Sequence, residues 1–379
     1  MKINKLMLAL AVAASAFISC NKQETTPVGT NYKSVEFSLE NVNFTKSVTD
    51  QVINAGTAVG LTNFQVFFTN GSVLFEAKNA DNQTPAKDFF TAEDLTKKLV
   101  FHFLDPKVNK VVVLGNIETE IDVVDGVTTL ASLEKTLQIA EQQDAQEDDA
   151  ALSLYGESTL TIKETNAVHK DDDGNAYSPD HTVDVYKADV TLVPRVARIE
   201  IVGYECEFSD PALYDVVTID QVAIDGYNST AQLATATYGG PVDEVNPANQ
   251  VDLFNYFKAN QSKEEAEWWF DITDIDLTPS ANEVTTPLLA YHVFPTAVPE
   301  LLVDITTTKD GLEMPAYLYT SGFATSADAT TPNLTGLEAG KVYRLTLKFK
   351  DTDLTQQDKC VEVTVSVEEW AVVDIYPIF

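Results

Sequence analysis

Basic residues are scarce in this chain. Lys and Arg number 25 against 58 Asp and Glu, a formal net charge of −33 over 379 residues. Arginine occurs only at Arg195, Arg198 and Arg344. A field of that sign repels phosphate backbones and anionic headgroups, which argues against nucleic acid and anionic lipid as partners. Histidine is nearly as rare: His102, His169, His181 and His292 stand without ligand spacing. C-x-x-C, H-E-x-x-H, G-x-S-x-G and G-x-G-x-x-G are all missing. "GLEAGKV" has the wrong spacing for a phosphate loop, lacks the Ser/Thr and precedes a strand. With so many acids, no two carboxylates can be singled out as an acid/base pair. No clustered nucleophile or ligand set remains, so the expectation is a non-enzyme with no cofactor and no metal. The nearest approach to a cation site is "DDDGN", Asp171 to Asn175. Its glycine falls one place wrong for an EF-hand loop and no Glu closes it. It reads as a hairpin tip, with weak calcium binding as the alternative.

Long apolar runs are missing too, except at the start. "MKINK" is basic, and "LMLALAVAASAFIS" is too short to span and stop. Cys20 closes it. Residues 1–19 therefore read as a secretory signal, and Cys20 as a lipid-bearing first residue of the exported chain, with an incidental cysteine as the alternative. "NKQETTPVGTNYK" follows as a polar tether. Two cysteines remain, Cys206 and Cys360. In an exported chain they are candidates for a disulfide, with two buried free thiols as the other reading.

Apolar residues make up 44% of the chain, enough for packed cores, and the length suits two domains. From residue 35 the dominant period is two. "VEFSLENVNF" alternates; "FQVFFTNGSVLFEA" places two apolar runs around Asn70-Gly71, a hairpin signal; "KLVFHFL" and "KVVVLGNI" add strands. Two helices are predicted here: "TAEDLTKKL", opened by a Thr91/Asp94 capping pair, and "LASLEKTLQIAEQQ", with Leu130, Leu133, Leu137 and Ala140 on one face. "EQQDAQEDDA" reads as a solvated loop. "TVDVYKADVTLVPRVARIEIVG" is twice a usual strand and is broken by Pro194, so it reads as two strands in series. The domain boundary is expected there, giving 47–195 and 196–379. The second half repeats the style, with "VDLFNYF" as a short helix. The fold class is all-β with a few short helices, two Greek-key β-sandwich domains.

The end of the chain breaks the pattern. In "VEVTVSVEE" Val361, Val363, Val365 and Val367 share one face. Beyond it the sequence is apolar on both faces: Trp370, Val372, Tyr376 and Ile378 on one, Ala371, Val373, Ile375 and Phe379 on the other. Such a tail is either buried in its own core or added as a strand to an open sheet of another molecule. A matching vacancy would arise at the other end. Proteolysis between Lys46 and Ser47 would remove the lipid anchor together with the strand "VEFSLENVNF".

"CNKQETTPV", "VEFSLENVNFTKSV", "LTNFQVFFTNGSVLFEA", "VPRVARIEI", "KVYRLTLKF" and "VEVTVSVEEWAVV" occur in this order, and together they resemble the Bacteroidetes fimbrillins, the stalk subunits of lipoprotein-derived (type V) pili. The likeness covers most of the chain in patches. It implies transthyretin-like sandwiches, export to the outer membrane as a lipoprotein acylated at Cys20, removal of residues 20–46, and polymerisation by donor-strand exchange through the segment ending at Phe379. Well-known members are cut after Arg; here the residue is Lys46, with Lys33 as a second candidate. Arg195 and Arg198 then fall at the domain junction. Three apart in a strand they face opposite ways, and each is expected to pair with acids on its own side.

The expected function is a structural subunit of a surface fimbria supporting adhesion. Its partners would be further copies of itself, accessory fimbrial subunits, a trypsin-like protease, the outer membrane before maturation, and a receptor the sequence does not name. The alternatives are a non-polymerising surface lipoprotein that binds glycan or protein, and a tip or anchor subunit.

Overall fold

The computed structural model describes residues 32–40, 42–43, 59–79, 85–91, 94, 99–147, 152–170, 182–243, 245, 250–260, 269–286, 288–295, 298–320, 322–324, 334–355, 364–369, 372–374 and 376–377. These form an all-β molecule of stacked sheets with few helices.

The first half contributes β1 (Lys33–Glu40), β2 (Asn63–Thr69), β3 (Leu99–Leu104), β4 (Lys110–Gly115), β5 (Leu154–Thr159), β6 (Thr161–Val168) and β7 (Thr182–Thr191). One sheet has the order β6-β7-β1-β3. The other places β5, β4 and β2 side by side, with Val193–Pro194 beside β5 and both Leu74–Phe75 and Phe89–Thr91 on β2. The period of two sorts their side chains. Phe64, Val66 and Phe68 of β2, with Val111 and Val113 of β4, face the first sheet in a core shared with Val35 and Phe37. Phe67, Val112 and Leu114 face the other way and join the core of the second half. This sheet is covered on both faces, which explains its near-continuous apolar strands. The hairpin after β2 turns at Asn70-Gly71: Gly71 has φ +93°, and Asn70 Oδ1 accepts from the amides of Ser72 and Val73.

The second half adds β8 (Ala197–Glu207), β9 (Val216–Asp225), β10 (Tyr227–Gln232), β11 (Phe270–Leu277), β12 (Leu289–Val293), β13 (Glu300–Lys309), β14 (Leu312–Tyr319), β15 (Lys341–Lys350), β16 (Thr364–Glu369) and β17 (Val372–Asp374). β8 lies between β12 and β15, and β16 and β17 continue beyond β15. The facing sheet has the order β11-β9-β13-β14. Ile199, Ile201, Ile219, Ile305 and Leu345 fill the space between. Tyr204, Tyr291 and Tyr343 are among the largest fully buried side chains.

Two helices are described. α2 (Gln250–Asn260) covers the outer face of β9 and β13 through Leu253 and Phe257, as "VDLFNYF" predicts. α1 (Ile139–Glu147) differs from expectation. The sequence predicts a helix from Leu130, but Leu130–Leu133 is a 3-10 turn and Thr136–Gln138 is a strand paired with β10. Leu133 and Leu137 are buried, as the predicted helical face requires, but Ala140 is exposed; pairing with a distant strand decides the geometry. The acidic stretch expected to be a loop instead begins inside α1, where Gln142 and Gln143 are buried. Gln143 Oε1 accepts from the amide of His292 at 3.0 Å, and its Nε2 donates to the carbonyl of the same residue. Gln143 thus closes the β12 backbone as a neighbouring strand would. His292 Nδ1 donates to the carbonyl of Gln142 at 2.8 Å. Burial, then the charge of Arg198, lowers this imidazole to about 3, so it is neutral.

On the outer face of β13, Asp304 is buried. Burial pushes its carboxyl up to about 7, and the charge of Asp220 adds to the shift. The folded state binds that proton more tightly than the unfolded chain. The contribution is therefore complete below the ordinary carboxylate range and is lost as pH rises through about 7. Asp304→Asn is expected to raise the urea midpoint at about pH 8 and leave it unchanged near about pH 4. An equal effect at both pH values would contradict a titrating Asp304.

Candidate strand-exchange site

β1 is a central strand. It runs parallel to β7 in unbroken register from Lys33↔Asp184 to Glu40↔Thr191. On its other side it pairs antiparallel with β3 through Lys33↔Leu104, Val35↔Phe101, Glu36↔Val100 and Phe37↔Leu99. β7 and β3 pair through β1 and not with each other. Without β1 they would stand about 9.5 Å apart, the width of one missing strand.

The alternation that makes this stretch a strand also aims its apolar row inward. Val35 is 0% exposed and Phe37 3%, and Leu39 packs against the same core. The Phe37 ring stacks on Phe64 at 6.3 Å and meets Phe101 edge-on at 6.1 Å. These rings continue into Phe68 and Phe90. Polar groups fix the register from outside. Ser38 Oγ donates to Asp189 Oδ1 at 2.6 Å, and Lys163 Nζ reaches Glu36 Oε2 at 2.5 Å. Lys33 Nζ donates to the carbonyl of Val108 at 2.7 Å and lies over the Tyr186 ring. Burial lowers the Lys33 amine below the ordinary lysine value, against the pull of Asp105 and Asp184.

This arrangement bears on where a protease can act. A protease needs an extended, unpaired segment. The Lys33–Ser34 bond lies inside a strand paired on both sides. Lys46 and Ser47 lie outside the described residues, within the stretch 44–58. The chain on either side of that stretch is held together, since Val42↔Val59 and Asn43↔Gly60 form a short parallel pairing. Cys20, Cys360 and Asp171 to Asn175 also lie outside the described residues. Cys206 is a free, buried thiol, pushed up to about 12 by burial and then by Asp351 and its glutamate neighbours.

The tail is described in part; Trp370, Ile375, Ile378 and Phe379 lie outside the described residues. β17, which holds Val372 and Val373, pairs parallel with β15 and antiparallel with β16. Tyr376–Pro377 pairs with Phe323–Ala324. In the single chain these segments are therefore held at home, by pairings much shorter than the eight-residue register of β1 on β7.

The two arginines at the handover between halves behave differently from one another. Arg198 follows the acid-pairing expectation: its Nε donates to Glu200 Oε1 at 2.8 Å, and Arg344 Nε donates to Glu200 Oε2 at 2.8 Å. Glu200 is 0% exposed. This is a buried Arg–Glu–Arg bridge between β8 and β15, and it ties one sheet rather than two domains. Arg195 meets carbonyl oxygens instead. Its Nε donates to Leu233 O at 2.6 Å and its Nη2 to Ala234 O at 3.0 Å. Its guanidinium stacks 3.9 Å from the ring centre of Tyr155 on β5. Arg195 therefore joins a strand of the first half to the turn after β10. Sequence spacing could give the opposite facing of the two side chains, but a backbone carbonyl leaves no mark in the sequence to name it as the partner. Gln143, which also ties the halves, was hidden in an acidic stretch for the same reason.

Among the described residues no group of three or more His, Cys, Asp or Glu is placed to hold a metal ion, and no helix is long and apolar enough to cross a membrane.

No protein-family model and no curated protein matches the sequence. Solved structures do. A fimbrilin from Porphyromonas gingivalis W83 aligns at 12% identity over 92% of this chain and 96% of that one, with a TM-score of 0.46. A fimbrial assembly protein from Parabacteroides distasonis aligns at 14% identity over 91% and 98%, TM-score 0.39. A fimbrial anchor protein from Porphyromonas gingivalis aligns at 12% over 88% and 96%, TM-score 0.37. Likeness at this identity and TM-score leaves the function of the chain to its own geometry.

Proposed function

We propose that this chain is a structural subunit of a cell-surface fimbria. It is exported as a lipoprotein through Cys20, cut between Lys46 and Ser47, and joined to its neighbours by exchange of β1 for another subunit's tail. The reading is carried by one observation: the strand that would be discarded is central in its sheet. A strand on the edge could leave without consequence. Removing β1 uncovers two ladders of backbone donors and acceptors and the phenylalanine floor beneath Phe37, which in water is strongly unfavourable. The vacancy has to be refilled by an extended, apolar segment, and the end of the chain, beyond Glu369, supplies one.

The order of events follows from the pairings. A cut in the stretch 44–58 breaks none of the contacts of β1, and three inward side chains at roughly 1.5–3 kcal/mol each keep it seated. Cleavage makes exchange allowable without completing it. The tail leaves its own short pairings, enters the groove and displaces β1.

The test is limited trypsin digestion of the purified chain, followed by N-terminal sequencing and electron microscopy. A product beginning at Ser47 and the growth of filaments are expected. A resistant monomer, or a product beginning at Ser34, would contradict the reading.

A second reading is favoured by the in-chain pairing of Val372–Asp374 and Tyr376–Pro377. A chain that keeps both its first strand and its tail at home is self-capped, as an anchor or tip subunit or a non-polymerising surface lipoprotein would be. The same digestion separates the two, because a self-capped chain stays monomeric whether or not it is cut.

A further inference from the structure

If β1 is exchanged for another subunit's tail, as proposed above, the seats that β1 leaves decide which tail residues enter them and in which direction. Each seat has its own chemistry. Ser34 is 3% exposed, and its Oγ finds no hydrogen-bond partner among the described residues. Val35 and Phe37 face the core. Between them, on the opposite face, Glu36 Oε2 meets Lys163 Nζ at 2.5 Å. Ser38 is exposed and donates to Asp189 Oδ1 at 2.6 Å. Leu39 lies past Phe37↔Leu99, the last pair with β3, and pairs with β7 through Leu39↔Val190.

The tail repeats this order of demands. Its last ten residues contain one charged side chain, Asp374, flanked by Val373 and Ile375, as Glu36 is flanked by Val35 and Phe37. A strand that sends Val373 and Ile375 inward turns Asp374 outward. With Asp374 in the seat of Glu36, two directions are left. Running the same way as β1, Val372 takes the seat of Ser34, Tyr376 that of Ser38 and Pro377 that of Leu39. A valine suits a buried seat where a hydroxyl has no partner. A tyrosine at the exposed seat keeps a hydroxyl on the side of Asp189. Proline has no amide to donate, and it falls past the end of the β3 pairing. Running the opposite way, Tyr376 would enter the buried seat of Ser34, and Val372 would deprive Asp189 of that hydroxyl. Pro377 would then fall at Lys33, which is paired on both sides.

We propose that the incoming tail runs parallel to β7, with residues 372–377 in the seats of residues 34–39, and that Asp374 on Lys163 of the receiving subunit sets its register. A shift by one residue would turn Asp374 inward, onto the phenylalanine floor. A shift by two would bury it at Ser34 or set it against Asp189 at Ser38.

Release of subunits from filaments in urea tests the register, because β1 is gone by then and only the donor's contacts are read. Asp374→Asn and Lys163→Gln are each expected to speed release about fivefold, and the double variant no further than either alone. Equal rates in variants and parent, or a double variant in which the two effects multiply, would overturn the assignment of Asp374 to Lys163. Disulfide trapping tests the direction. Phe37 is in register with Ala188, so Ile375→Cys with Ala188→Cys is expected to link neighbouring subunits, and Val373→Cys with Ala188→Cys is not. The reverse result would mean that the tail runs against β7 and would overturn the proposal. If the parent chain forms no filaments after cleavage, the fimbrial reading fails and the register with it. If filaments form and these variants behave otherwise, the register alone fails.

Discussion

Phe37→Ala is expected to destabilise the uncut chain by about 3–5 kcal/mol and to leave the matured subunit untouched. The first part follows from burial. Phe37 is 3% exposed, with Phe64 and Phe101 against its ring, and truncation leaves a ring-sized cavity in a core that cannot collapse around it. The second part follows from position. Residue 37 lies before the Lys46–Ser47 bond, so the variant and the parent become the same molecule once β1 has been exchanged. Chemical denaturation of the uncut chain and of assembled material, variant against parent, measures both parts. The loosened strand should also be displaced faster, so filaments should grow sooner after cleavage. If assembled material loses as much stability as the precursor, β1 has not been discarded.

Glu200→Ala is expected to cost about 3–5 kcal/mol in every form of the chain, because it leaves two buried guanidinium groups without their shared carboxylate. Arg198 is 3% exposed at its side chain and Arg344 11%. Replacing all three members by apolar residues of similar volume is expected to be close to neutral. That separates the cost of an orphaned charge from any loss of packing. Denaturant midpoints of the single and triple variants decide it; a single variant within about 0.5 kcal/mol of the parent would mean the bridge is not desolvated.

These two effects mark how far the sequence could be read. Alternation of apolar residues in β1 and short apolar runs in β2, β3 and β4 placed these strands correctly, and Asn70-Gly71 marked the hairpin after β2, because these signals are local. The long run around Pro194 is divided as its length suggested, β7 ending at Thr191 and β8 starting at Ala197, but Pro194 itself sits in a two-residue strand beside β5. The Thr91/Asp94 contact was legible, since Asp94 Oδ2 accepts from the amide of Thr91 at 2.7 Å, but Thr91 ends a strand and most of the helix it was expected to open, residues 92–93 and 95–98, lies outside the described residues. What local pattern could not supply was partnership. Leu133 and Leu137 carry helical spacing but serve a turn and a strand. Gln65, Gln143 and Arg195 complete backbone groups far away in the chain, and nothing beside them in sequence says so. The central place of β1 was not legible either. Its alternation announces a half-buried strand, whereas the pairing with β7 on one side and β3 on the other is a property of the sheet.

Mass spectrometry of subunits taken from intact filaments would test the exchange most directly. Chains that begin at Ser47, carry no peptide spanning residues 33–40, and still end at Phe379 are the expected result. Filaments whose subunits retain Lys33–Glu40, covalently or as a bound fragment, would contradict it.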